Sequence, residues 1–142
     1  MRASRKLNPG QTLVEFALLL PILILIILII LDLGRAAYYL SAVYNAAREG
    51  SRYGSINPHN DAQICGRAQN TGVLLDLVCP DDVNINLIDN PSIDYIEVTV
   101  NYQFKPATPL IGELIPIDAR CTGGPCIVIS STSRMQIEGN LN

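Results

Sequence analysis

The chain is poor in the residues that build most catalytic and metal sites. Its 142 residues include one histidine, His59, and no tryptophan, and only 16% of them are charged. His59 follows Pro58 in a predicted loop with no serine, cysteine or carboxylate set around it, so we interpret it as a surface residue. No phosphate-binding glycine loop, metal-ligand set or pair of catalytic carboxylates is recognisable. The sequence therefore predicts no enzymatic activity, no metal and no cofactor.

Acidic residues are missing from the first ten positions, which carry Arg2, Arg5 and Lys6. From Leu33 onward the balance reverses, with seven basic and eleven acidic residues. A nucleic-acid-binding domain would need a basic face, so this distribution argues against DNA or RNA as a partner. It suits a short basic cytoplasmic tail followed by an exported acidic domain.

Polar side chains are absent from Phe16 to Leu31. Leu13 to Leu31 is long enough to cross a bilayer, which requires roughly 20 residues. The apolar side chains contribute on the order of 4–8 kcal/mol to insertion, whereas one glutamate costs about 3 kcal/mol at the centre and less near the edge. The basic residues before this stretch place the N-terminus in the cytoplasm and the chain after Asp32 outside.

This distribution divides the chain into four parts: a basic leader (1–10), a transmembrane helix (11–33), an extracytoplasmic continuation of that helix (34–55) and an extracytoplasmic domain (56–142). A cleaved secretory signal is the alternative, because small residues at Gly34 and Ala36 offer a cleavage site. The apolar stretch is longer than such signals usually have, and Asp32 and Arg35 crowd that site.

Helical periodicity continues beyond the apolar stretch. Ala36, Leu40, Val43 and Ala47 recur at helical spacing, so the helix predicted from Thr12 to about Tyr53 becomes amphipathic past Gly34, with these side chains on its buried side. Inside it, Pro21 removes a backbone hydrogen bond and predicts a bend between residues 17 and 21. A second helix is predicted from Asp61, as N-cap, to about Asn70.

Period-two alternation then predicts three strands, around 83–87, 96–103 and 127–134. Turns are predicted at Asn90-Pro91 and at 123–125, and the three prolines of 105–116 exclude a central strand there. A long helix on a small antiparallel sheet is an α+β architecture.

All four cysteines follow the apolar stretch, so they would lie in an oxidising compartment. An even number in a small exported domain predicts two disulfides, with three pairings open. Cys121 and Cys126 flank a turn that can bring them together, which would leave Cys65 with Cys79. Zinc is the alternative, although the spacing lacks a close cysteine pair and the chain has a single histidine.

Asp82, Asn84 and Asn86 imitate the first ligands of a calcium loop. The glycine and the final glutamate of such a loop are Leu87 and Ile93 here, so we interpret this segment as a strand. Four charged residues of the long helix, Asp32, Arg35, Arg48 and Arg52, are candidates for contacts between subunits, against the simpler interpretation of a solvated helix face.

The junction before the apolar stretch carries the clearest motif. Gly10 precedes Gln11, and Glu15 is the fifth residue after the glycine, near the N-terminal end of the predicted membrane helix. An ionisable group there is costly and indicates a function. This is the pattern that a prepilin peptidase cuts, after the glycine, and a new amine on Gln11 of a neighbouring subunit would be the natural partner of Glu15.

Two segments resemble the TadE-like family of tight-adherence pilus proteins. The first, from Gly10 to Ser55, has the family's order of residues; these are Glu15, Pro21, Asp32, Gly34, Arg35, Ala47, Arg48, Gly50 and Arg52. The second, from Val98 to Gly112, is similar to the strand and FKP-x-TPL loop of many members.

The resemblance implies a minor pseudopilin or pilus-assembly protein of the inner membrane. Its expected partners are a prepilin peptidase, other pilin or pseudopilin subunits and the lipid bilayer. A membrane-tethered adhesion or ligand-binding module that is never cut or polymerised is the alternative, and a disulfide-bonded domain released after Ala36 is another.

Overall fold

A computed structural model describes residues 9–72, 74–89, 93–108, 120–121 and 124–138. The basic residues of the leader, the turn at Asn90-Pro91, Gly123 and most of the proline-rich segment lie outside the described residues. Within these ranges the elements are two helices and three strands, and their bounds are α1 Pro9–Gly54, α2 Asp61–Thr71, β1 Val83–Ile88, β2 Tyr95–Phe104 and β3 Ile127–Gln136.

Helix α1 is 46 residues long, or about 69 Å at 1.5 Å per residue. Within the described residues it runs from Pro9, three residues before the predicted start at Thr12. The helix continues through Pro21. The bend expected at that residue stays a prediction.

Helix α2 matches its predicted span, but its N-cap is Asn60 and not Asp61. The Asn60 side chain accepts a hydrogen bond of 3.2 Å from the backbone N–H of Gln63, while Asp61 is the first helical residue. Both residue types favour the cap, so the sequence alone could not choose between them.

The strands form an antiparallel sheet in the order β1-β2-β3. Val83 pairs with Val100 across β1 and β2, and Phe104 pairs with Ile127 across β2 and β3. Alternate residues of β2 point inward, with Ile96, Val98 and Val100 fully buried. The α+β prediction is therefore confirmed, and β2 is the central strand on which the core is built.

The core lies between α1, α2 and the sheet. Helix α1 packs on β2 and β3, and α2 packs beside α1. Val43, Ala46 and Ala47 of α1 are fully buried there, opposite the inward face of β2. Placing Leu40 on the buried side was wrong, since its side chain is 54% exposed. The sheet covers the face that carries Tyr39 and Val43, and Leu40 lies at the edge of that contact.

Candidate membrane anchor and assembly face

The N-terminal half of α1 is a bare apolar rod. Among the described residues it is the one helix long and apolar enough to cross a membrane, and none of its most apolar 18-residue window is buried. Every large side chain from Leu13 to Leu23 is at least 38% exposed. A soluble domain would cover such a surface, so the exposed rod indicates anchoring in a bilayer.

Gly10, Gln11 and Glu15 lie in the first two turns of this rod, and all three are exposed. A Cβ added at Gly10 would have no described atom within 4 Å, apart from its chain neighbours and the helix backbone, so there is space around this position. Within the described residues, the Glu15 carboxylate has no ion-pair partner. Its charge therefore lies on the apolar face without compensation from the part of its own chain that is described.

Asp32 occupies the opposite end of the apolar run, and it is buried. The residue is 4% exposed. Its carboxylate accepts hydrogen bonds from the backbone N–H of Ala107 (3.0 Å) and of Thr108 (2.9 Å), and another from the hydroxyl of Thr108. Arg35 adds an ion pair of 3.3 Å from the next helical turn. A charge this buried is tolerable because several donors compensate it.

An aromatic cluster continues the contact between α1 and the sheet above Asp32. The ring of Tyr39 lies 4.8 Å from that of Tyr102 and 5.7 Å from that of Phe104, centroid to centroid. The guanidinium of Arg35 lies 5.5 Å from the centre of the Phe104 ring, within the range of a cation–π contact. Burial and a hydrogen bond with Tyr39 raise the pKa of Tyr102. Asp32, through its bonds to Thr108, and Arg35, through its contact with Phe104, therefore both make contacts within the chain.

The other two candidate contact residues, Arg48 and Arg52, are exposed on the outer face of α1. Arg52 donates two hydrogen bonds to Glu49, of 2.8 and 3.0 Å. These bonds and the charge of Arg52 outweigh the effect of burial and lower the pKa of Glu49. This pair lies on the surface, where an ion pair contributes little to stability and the outward N–H groups can meet another molecule.

The cysteines form two disulfides in the pairing that the sequence favoured. Cys65 of α2 is joined to Cys79 before β1, and Cys121 is joined to Cys126 before β3. The described residues contain no group of three or more metal-ligating side chains. The first bridge ties α2 to the segment that leads into β1, and its Cys65 end is buried in the core.

The calcium-like residues serve the local backbone. Asp82 accepts a hydrogen bond of 2.8 Å from the N–H of Val78, closing the turn before β1, while Asn84 and Asn86 are exposed on the outer face of that strand. His59 is exposed in the loop before α2. These positions agree with the strand and surface interpretations.

The sequence did not single out Thr108, Tyr39 or Tyr102. A signal for Thr108 existed, because it belongs to the FKP-x-TPL loop, whereas Asp32 and Arg35 belong to the helix segment of the resemblance. The two segments that resemble the family meet in space, where Phe104 and Thr108 contact Arg35 and Asp32.

The fold and this site define a class: a membrane-anchored α+β protein in which one helix is both anchor and part of the core. The family model described as TadE-like protein matches residues 10–52. Residues 10–52 are therefore similar to TadE-like proteins, and this match supports the resemblance to the tight-adherence pilus assembly family. The match covers α1, while the second segment from Val98 lies outside it. No curated protein and no solved structure matches the chain.

Proposed function

We propose that the chain is a minor pseudopilin or pilus-assembly subunit of a tight-adherence, type IV-like pilus, and that it is not an enzyme. A prepilin peptidase cuts it after Gly10, and residues 1–10 are the leader. Residues 11–33 span the inner membrane with the N-terminus in the cytoplasm. Residues 34–55 continue the helix outside, and residues 56–142 form the exported disulfide-bonded domain.

The observation that supports this proposal best is the TadE-like match over residues 10–52, which includes the exposed apolar half of α1. The peptidase needs a small residue at the cut, because the backbone must enter its cleft closely. After the cut, the new amine of Gln11 can neutralise Glu15 of a neighbouring subunit, where the low dielectric makes an unmet charge expensive. Glu15 then fixes the register of helices that pack side by side.

Gly10→Val tests the processing step. The branched side chain should clash with the peptidase cleft and block cleavage, whereas Gly10→Ala, which stays small, should still be cut. Each variant is co-expressed with a matching prepilin peptidase, and the mass and N-terminal sequence of the membrane protein are measured.

The wild-type N-terminus separates the alternatives. Gln11 is the expected first residue. Met1 would indicate an uncut membrane-tethered module, and Ala37 would indicate a domain released by a signal peptidase. Cleavage of Gly10→Val at the wild-type rate would remove the proposed role of that glycine.

A further inference from the structure

We infer that the end of the domain nearest the membrane rests in the phospholipid headgroup layer, and that the bonds between Asp32 and Thr108 hold it there. The surface is formed by Leu33, Arg35 and Tyr38 of α1 and by Lys105 and Ala107 of the adjoining loop; we call it the proximal surface. This inference uses the membrane anchoring of the proposed function and is independent of processing at Gly10.

The height of this surface follows from the helix. Leu31 ends the run without polar side chains, and Asp32 lies about 1.5 Å further along the axis. Because Ala107 and Thr108 are hydrogen-bonded to Asp32, their backbone lies at the level where the helix leaves the hydrocarbon. A headgroup layer is roughly 5–8 Å thick on each side of the bilayer. The loop that carries Ala107 therefore lies within that layer.

The exposed side chains suit this position. Leu33 is 65% exposed and lies about 3 Å beyond Leu31 along the helix axis, inside this layer. Tyr38 is 53% exposed, and its backbone lies about 10 Å beyond Leu31, just outside the layer, but helical side chains tilt toward the N-terminus, so its ring is directed back toward the headgroups. Tyrosine is typical of membrane interfaces, because its ring prefers the apolar side and its hydroxyl the wet side. In a protein surrounded by water alone these two side chains would remain uncovered, and the adjoining lipid covers them.

The charges indicate headgroup phosphate as the polar partner. The Arg35 side chain is 47% exposed although it pairs with Asp32, and Lys105 is exposed. Both have long apolar stems that can lie along lipid while the cation reaches a phosphate. Asp32, the one described carboxylate on α1 between Glu15 and Glu49, is turned inward and compensated by its donors. Lys105 also borders a groove with Asp76, Asp81 and Asp82, whose carboxylates oppose its attraction to anionic lipid.

Depth-dependent fluorescence quenching tests the inference. A single fluorophore is attached through Ala107→Cys or, as the distal control, through His59→Cys, with the native disulfides intact. The full chain is placed in vesicles of phosphatidylethanolamine and phosphatidylglycerol that contain a lipid spin-labelled at its headgroup. Quenching at position 107 should exceed quenching at position 59 several-fold. Equal quenching at the two positions would overturn the inference, and this comparison needs no variant of Asp32 or Thr108.

The role of the bonds to Asp32 is tested in the labelled Ala107→Cys background. Thr108→Val removes the hydroxyl that donates to Asp32 and should lower the quenching at 107, whereas Thr108→Ser keeps a hydroxyl and should restore it. Loss in both variants, or in neither, would contradict the role of this bond in holding the surface on the membrane. Failure of the processing or assembly steps of the proposed function would leave the quenching unchanged, because it is measured on uncut, unassembled protein.

Discussion

Glu15 and Asp32 are two carboxylates on one helix with opposite environments. Asp32 is buried and accepts bonds from Ala107, Thr108 and Arg35, whereas Glu15 is exposed on an apolar face. A carboxylate whose charge is compensated by hydrogen bonds from its own chain, as in Asp32, stabilises the fold. An acid left uncompensated at the membrane indicates a partner outside the described part of the chain.

Replacing Glu15 by Gln should abolish assembly while the subunit still inserts. The change removes the one costly group of the apolar helix, so membrane levels should not fall. The amine on a neighbouring Gln11 would then lack its counter-ion, and pilus yield and co-purification of partner subunits should drop. Glu15→Asp keeps the charge and should retain part of the yield. Normal piliation with Glu15→Gln would show that Glu15 is only an interface residue.

Two glycines of α1 provide a matched test of packing. A Cβ at Gly50 would lie 3.1 Å from Cγ1 of Val98, whereas at Gly34 it would meet nothing within 4 Å. Gly50→Leu should therefore lower the free energy of unfolding by about 1–3 kcal/mol or more through overpacking, and Gly34→Leu should not. Chemical denaturation in detergent, followed by tyrosine fluorescence, measures both. Equal stability of the two variants would mean that α1 does not approach β2 this closely.

At the scale of the elements, periodic patterns account for what the sequence could predict. The three strands and both helices occur where alternation and helical spacing place them, because each pattern reports one buried face. The choice between Asn60 and Asp61 as N-cap was open because both residue types favour that position, whereas the exposure of Leu40 was decided by tertiary packing. Spacing alone cannot tell which side of an apolar helix a sheet will cover.

The disulfides act between elements, and their removal should rank by loop length. Cys65→Ala with Cys79→Ala opens a loop of sequence separation 14, and Cys121→Ala with Cys126→Ala opens one of 5. On chain entropy the first pair should cost about 3 kcal/mol and the second about 2 kcal/mol. The first also loses packing, because Cys65 is 3% exposed. Urea unfolding of both double variants measures the order; a larger loss from the second pair would contradict it.

The attachment of the domain to the membrane helix depends on contacts between residues that are far apart in the sequence, which no local pattern predicts. Asp32 and Thr108 are 76 residues apart, and Tyr39 and Tyr102 are 63 apart, so neither pair leaves a periodic signal. The resemblance marked both segments of the first contact, but it could not show that they touch. The anchor and its motif were therefore predictable from the sequence, whereas the attachment of the domain to the anchor was not.

Orientation is the prediction that belongs to this scale. In intact cells that lack the prepilin peptidase, so that the leader is retained, a membrane-impermeant maleimide should label His59→Cys and leave Arg5→Cys unreacted, because the basic leader keeps the N-terminus inside. Permeabilised cells serve as the control, in which both positions should react. Labelling of position 5 alone in intact cells would reverse the orientation, and with it the argument that the cysteines lie in an oxidising compartment.

The long separations along the chain also set an order in time. Val43, Ala46 and Asp32 are synthesised well before the strand and loop residues that cover them, because β2 begins at Tyr95. At 5–20 residues per second, Thr108 follows Asp32 after roughly 4–15 s of synthesis. During that interval the face of α1 that carries Val43 and Ala46 is not yet covered by the sheet, and it lies outside the bilayer. Anchoring by the apolar half keeps each waiting chain fixed in the membrane plane, so premature encounters between chains are restricted to two dimensions.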